Sequence, residues 1–398
     1  MEDTSRGSGS AGLPTGVASL GYRPDLFLLD ADVVHLNHGS FGAVPRPVLA
    51  AQRAASERIE RSPERFYRAD LAPALEAVRQ RVAAFLHTDP AGLALVQNAT
   101  EAVQVVLEAV RPAAGAEILY TDHAYWWVQT AIARAGQRYG AVPREVLLPT
   151  EAPPADLTDE LVSRLKDAIT DRTALVVIDQ ITSASALHLP VEELIAALPD
   201  GPPVLVDAAH APGLIEQPVP AGAAFWLGNL HKWAFAARTA AALVVAPEWR
   251  QRVQPLVASA GAADGFPRSF DYLGTQDPTA YLALPAALEF PERHLGLSFW
   301  ELRRRNVAVL EEGLRLLADS LDLEPHTPNG LPLNTICLGT TADAASAAKV
   351  TEELREAGVE VAMTSVAGRL HARVSVQAYV SPADFEVLAR ALAPYARR

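Results

Sequence analysis

From about Leu71 the chain alternates helix-period patterns with short runs that are apolar at nearly every position. Residues 93–98 (LALVQN) predict a strand, and residues 100–110 (TEAVQVVLEAV) predict a helix with Thr100 as N-cap. EILYTD repeats the strand pattern, followed by a helix through WWVQTAIARAG. ALVVIDQ, PVLVDAA, FWLGN and TAAALVVAP are further apolar runs bounded by Gly, Pro or Asp. Strands apolar on both faces and interleaved with helices predict an α/β fold with a mostly parallel sheet covered on both sides. Ligands of such sheets gather at the carboxyl ends of the strands, where Asn98, Asp122, Asp179, Asp207 and Asn229 fall.

After Asp277 the pattern changes. A long helical stretch over about 278–320 leads to LPLNTICL, a charged helix over 342–357, the short runs VEVAM and ARVSV, and a last helix, which together predict a smaller α+β domain. The expected division is a flexible tail (1–20), a segment packing with the small domain (21–70), a large domain (71–277) and the small domain (278–398).

Composition narrows the function classes. Hydrophobic residues make up 49% of the chain, ample for a large core and too many for disorder. The net charge is −13, from 34 Lys and Arg against 47 Asp and Glu. An acidic surface repels phosphodiester backbones, so nucleic acid is not an expected partner. Cys337 is the single cysteine, which rules out an intrachain disulfide and a Cys-rich metal cluster, and no metal site is expected. The first residues lack an apolar export segment, and no run of about 18 apolar residues suits a membrane span, so the cytoplasm is the expected location.

Three segments carry candidate chemistry. In LGNLHKWAFAARTAAALVV (227–245) Lys232 stands just past a short apolar strand, where Trp233 and Phe235 could form a dry wall. A nucleophilic amine needs such partial desolvation, whereas an ordinary lysine sits on a solvated surface. In VLVDAAHAPG (204–213) Asp207 at a strand tip could hold a pyridine nitrogen protonated, with His210 beside the ring; the alternative is a helix cap. In QNATEAV (97–103) the strand-to-helix turn at Asn98, Ala99 and Thr100 offers backbone N–H groups and a helix dipole to a phosphate. His231 and the GTQDPT turn (274–279) are further candidate phosphate donors.

These segments, with LNHGSFGAVP (36–45), FYR (66–68), DHAYWW (122–127), DQITSASALHLP (179–190) and RVSVQAY (373–379), occur in the order seen in class V aminotransferase-fold enzymes. The chain resembles most the branch that includes isopenicillin N epimerase, over nearly its whole length from about Asp30. The resemblance implies a fold-type I homodimer, with a seven-stranded large-domain sheet, and pyridoxal 5'-phosphate (PLP) as cofactor. It implies that Lys232 bonds the cofactor covalently and moves the substrate α-proton. Asp207 would pair with the ring nitrogen and His210 contact the ring oxygen. Tyr125, or His123 beside it, would stack on the ring. Asn98, Ala99, Thr100 and His231 would surround the phosphate, helped by Gly274 and Thr275 of a partner subunit. Arg373 would clamp the substrate carboxylate, with His38 and Tyr379 also on the substrate side.

One departure stands out: Gln180 occupies a place where relatives often carry His, and a neutral amide does no acid–base work near pH 7. The motifs do not choose a reaction. Epimerase-like chemistry in bacterial antibiotic biosynthesis is the leading expectation, with a C–S β-lyase or decarboxylating deaminase on a cysteine S-conjugate, and an aminotransferase, as alternatives. A persulfide-forming desulfurase is disfavoured, because Cys337 lies in the apolar run NTICLG and is expected to be a buried core thiol. A PLP-binding regulator is the remote alternative, since no basic DNA-binding module precedes the matching region.

Overall fold

The computed structural model describes residues 20–149 and 157–396. Of the tail expected over 1–20, all but Leu20 lies outside the described residues. The first elements are β1 (Val34–His35), the turn α1 (His38–Phe41), α2 (Arg46–Arg61), α3 (Pro63–Arg65) and α4 (Leu71–Phe85). Strand and helix then alternate through β2 (Leu93–Val96), α5 (Ala99–Val110), β3 (Glu117–Thr121), α6 (Trp126–Tyr139), β4 (Val142–Val146) and α7 (Leu157–Ala168). They continue as β5 (Thr173–Asp179), α8 (Val191–Ala196), β6 (Val204–Asp207), β7 (Phe225–Asn229) and β8 (Ala241–Val245). After these come α9 (Thr279–Leu282), α10 (Leu284–Phe290), α11 (Phe299–Leu321), β9 (Leu333–Thr341), α12 (Ala344–Glu356), β10 (Val359–Glu360), β11 (Ala362–Val366), β12 (Arg369–Ser375) and α13 (Pro382–Leu392).

The expected α/β fold is present. Seven strands form one sheet in the order β2-β8-β7-β6-β5-β3-β4. β4, β3, β5, β6 and β7 run parallel, and β8 is antiparallel to both of its neighbours. β2, β6 and β7 are buried along their whole length, as strands covered on both faces should be. α5 buries eight of its twelve residues, which explains why its sequence reads as apolar on more than one stripe.

The chain forms two compact units. The larger is Asn37–Trp300 with Leu26–Leu28; the smaller contains the described parts of Met1–Asp25, Leu29–Leu36 and Glu301–Arg398. This moves both expected borders. Residues 37–70 belong to the larger unit, not to the smaller one, and so do residues 278–300. The reason is helix packing: α9 and α10 lie against α2 and α4. α10 buries Leu284, Ala287 and Phe290 within this body, and α2 joins it. The helical period at 278–300 showed an apolar stripe without showing what it faces.

In the smaller unit β11, β12 and β9 form an antiparallel sheet, and β1 pairs in parallel with β10. Cys337 is only half-buried, which corrects the expectation of a core thiol. Side chains alternate along β9, so Ile336 and Leu338 take the core face and Cys337 the other. Among the described residues no helix is long and apolar enough to cross a membrane.

Candidate active site

β7 ends at Asn229, and the chain turns sharply before returning as β8. The Leu230 and His231 backbone N–H groups both donate to the Ala240 carbonyl, at 3.0 and 3.1 Å, closing the base of the turn. Phe235 adopts φ +60°, an uncommon conformation for a bulky residue, and its fully buried ring is held edge-on by Phe290 at 4.8 Å. Two glycines let other segments approach this turn. Gly42 has φ +69°, and a Cβ there would lie 2.2 Å from the His231 carbonyl oxygen. Gly213 has φ +87°, and a Cβ there would lie 2.7 Å from the Trp233 carbonyl oxygen. LNHGSFG and DAAHAPG are therefore tied to the lysine segment by backbone contact.

Lys232 is half-buried, with its Nζ 3.2 Å from His210 Nε2. On the other side of that imidazole, Trp233 Nε1 donates to His210 Nδ1 at 3.3 Å. His210 and Trp233 are each 1% exposed, so the contact between them does not compete with bulk water. His38, expected on the substrate side, lies against the lysine segment. It is buried, its Nε2 is 3.0 Å from the Lys232 carbonyl oxygen, and its ring packs 4.9 Å from Trp233. Burial lowers its pKa to about 3, so it stays neutral and donates to that carbonyl. In this structure His38 holds the lysine's main chain.

Next to the lysine, the tips of β5 and β6 place Asp179 and Asp207 in register as neighbours. Both carboxyl groups are buried, and burial pushes both pKa values up. For Asp179 the charge of Asp207 adds to the rise; for Asp207 the Ala209 N–H and the Lys232 charge oppose it. Asp207 Oδ1 accepts from the Ala209 N–H at 3.0 Å. Asp179 Oδ2 is buried and meets no hydrogen-bond donor of the protein. Such a pair resists carrying two charges unless a cation or donor is placed against it.

The turn between β2 and α5 holds a surprise. The N-cap is Asn98, not the expected Thr100, and its Oδ1 accepts the Glu101 N–H at 2.9 Å. Asn229 Oδ1, arriving from the end of β7, accepts the Ala99 N–H at 2.9 Å. One of the donors expected to face a phosphate, the Ala99 N–H, is thus engaged by a side chain, as is the neighbouring Glu101 N–H, while Thr100 is exposed at that turn. His231 donates Nδ1–H to the Ala240 carbonyl at 3.1 Å, and burial lowers its pKa to about 4. Its Nε2 can donate to an anion only after taking a proton, which a nearby dianion would favour.

Tyr125 is the N-cap residue of α6, and its backbone N–H donates to the Asp179 carboxylate. His123 Nδ1 lies 2.6 Å from Ser185 Oγ, which in turn lies 2.7 Å from Thr182 Oγ1. Gln180 is buried, and its Oε1 accepts from Trp226 Nε1 at 3.3 Å. Gly274 and Thr275 sit on an open loop, tied to the FYR segment where Tyr67 Oη donates to the Gln276 carbonyl at 2.8 Å. Arg373 and Tyr379 belong to the smaller unit, Arg373 buried on β12 between Ala362 and Thr335, and Tyr379 edge-on to His35 at 6.5 Å.

Of the expected residues, the structure joins Lys232 and His210 directly, with Asp207 acting on Lys232 through its charge, and it links Ala99 to the strand that carries the lysine. Asn229, Asp179, Trp233 and Ser185 had no assigned partners. Asn229 and Asp179 carried one signal, their place at strand ends; which atoms they would meet depends on neighbouring strands distant in sequence.

These groups fit PLP. An amine stands ready for an aldehyde, a buried carboxylate pair with one unmet oxygen suits a protonated ring nitrogen, and a helix N-terminus lies at the same sheet edge for the phosphate.

Comparison with known proteins agrees. A probable chloroplastic L-cysteine desulfhydrase of Arabidopsis thaliana is 29% identical, matching 91% of this chain and 83% of that protein. Isopenicillin N epimerase of Amycolatopsis lactamdurans is 31% identical over 75% of this chain and 79% of its own length. Among solved structures, a cystine C–S lyase in complex with its product cysteine persulfide superposes with a TM-score of 0.75 at 19% identity, covering 92% of this chain and 99% of that one. Residues 43–388 match aminotransferase class V, and the chain belongs to that family of PLP-dependent enzymes.

Proposed function

We propose that this enzyme is a PLP-dependent C–S lyase acting on cysteine or a cysteine S-conjugate. The observation that carries this reading is the single amine base: Lys232, 3.2 Å from His210, with no acid–base group at position 180, where the Gln180 amide is locked to Trp226. β-Elimination needs one base, because the proton taken from the α-carbon can be passed to the departing sulfur on the same side. The desulfhydrase relative that matches 91% of the chain supports the same reading.

The residues that would hold the cofactor are Lys232 at its aldehyde carbon, Asp207 at the ring nitrogen, His210 at the ring oxygen and Tyr125 or His123 on the ring face. Asn98, Ala99, Thr100 and His231 would surround the phosphate, with Gly274 and Thr275 supplied by a second copy in a homodimer. When bound, the cofactor supplies an electron sink for the charge left at the α-carbon. Lys232 takes the α-proton, its amine already positioned by the His38 contact to its main chain. Burial raises the Asp207 pKa, so a protonated ring nitrogen held against it would favour its ionised form.

A second reading, epimerisation, is favoured by His123, an ionisable group fixed by Ser185 that could return a proton to the opposite face. Reaction in deuterated water separates the two. Pyruvate, ammonia and sulfide or a thiol support lysis; α-deuterated product of inverted configuration supports epimerisation. Carbon dioxide release without α-proton exchange would overturn both.

A further inference from the structure

The Trp233–His210–Lys232 row fixes where a proton sits. An indole N–H can only donate, so the nitrogen that faces it must be a bare acceptor. Trp233 Nε1 faces His210 Nδ1 at 3.3 Å in a fully buried setting, where no water substitutes for it. While that bond stands, His210 is neither an imidazolium nor the Nδ1–H form, and its one proton is on Nε2, the nitrogen 3.2 Å from Lys232 Nζ. An N–H at that place needs a lone pair opposite it. The neutral amine has one and the ammonium has none, so this tautomer matches the nucleophilic form of the lysine.

We propose that Trp233 is a positioning residue that holds His210 in its Nε2–H form, so that His210 presents a donor to the lysine nitrogen and to any cofactor oxygen bound beside it. The proposal rests on the assignment of Lys232 as the PLP lysine only for its effect in the loaded enzyme; the tautomer itself is a property of the protein alone. Trp233 is held in place by the His38 ring at 4.9 Å and by close contact of its carbonyl with Gly213, so its indole has little freedom to turn away. The other ionisable groups acting on this cluster are His38, which packs on the Trp233 ring and is kept neutral by burial, and Asp207, His231 and Arg238, which act through their charges.

Two measurements test it. In protein labelled with 15N-histidine, with and without PLP, the His210 signal, assigned by its loss in His210→Gln, should show a protonated Nε2 and a bare Nδ1 between pH 7 and 8. A protonated Nδ1 in the unsubstituted protein overturns the proposal, whatever the variants do. In Trp233→Phe the imidazole should become a mixture of tautomers. The pH midpoint of the bound cofactor's visible absorption should then rise by about one unit, a tenfold change in that equilibrium, because a donor to the ring oxygen is weakened. An unmoved midpoint in a folded Trp233→Phe enzyme overturns the proposal as well. Failure of the unsubstituted enzyme to take PLP onto Lys232 would instead sink the functional reading and leave the tautomer result standing.

Discussion

Two turns at the carboxyl end of the same sheet differ in who satisfies their polar groups. The loop after β7 is closed by its own backbone and braced by His38 and Trp233, yet it leaves the Lys232 amine half-exposed beside His210. The turn after β2 is the reverse: Asn98 and Asn229 engage the Glu101 and Ala99 N–H groups, so the helix end is stable without an anion. One turn keeps its reactive group available; the other keeps its shape and offers what remains. On the proposed reading, a cofactor anchored covalently at the first turn would not need every donor of the second, and capping and binding would share one helix terminus.

The largest expected effect tests the first turn. Lys232→Ala should lower turnover by roughly a thousandfold or more and abolish borohydride-trapped PLP, with the circular dichroism unchanged. Recovery of the label on Lys166 or Lys349 by peptide mapping would show that the wrong lysine was chosen. His38→Ala comes next. As a brace of the lysine main chain it should cost roughly ten- to a hundredfold in kcat with KM little changed, since a small misplacement of the base is costly. A rise in KM alone would return His38 to the substrate side.

Asp179→Asn sharpens the contrast through pH. The Asp179 pKa is raised in the folded chain, so its contribution to stability is complete below about pH 4 and is lost as pH rises through the folded value. The Tm of the cofactor-free protein should therefore fall more steeply toward alkaline pH than that of Asp179→Asn. Parallel Tm curves would mean that the pair is already neutralised from within. The smallest effects fall on the second turn. Asn98→Ala should cost about 1 kcal/mol by urea unfolding, as a lost N-cap does. Asn229→Ala should cost somewhat more, about 1–3 kcal/mol, because it strands a buried N–H. Equal, negligible losses would indicate that water takes over both places.

The sequence by itself determined a good deal. Apolar runs at β2, β5, β6 and β7 marked strands covered on both faces, and short motifs at strand ends pointed to Lys232, Asp207 and His210, which the fold gathers at one edge of the sheet. It also marked Gln180 as unable to act in acid–base chemistry, and the residue is found locked to Trp226. Tertiary structure alone decided the rest. That Asn229 caps a helix 130 residues away, that His38 braces Lys232 across 194 residues, and that Trp233 donates to His210 all depend on which strands lie side by side. The same is true of the unit borders, where α9 and α10 carry an apolar stripe whose partner helices α2 and α4 no local pattern names. Periodicity reports that a face will be buried; only the order of strands and the packing of helices reports what it is buried against.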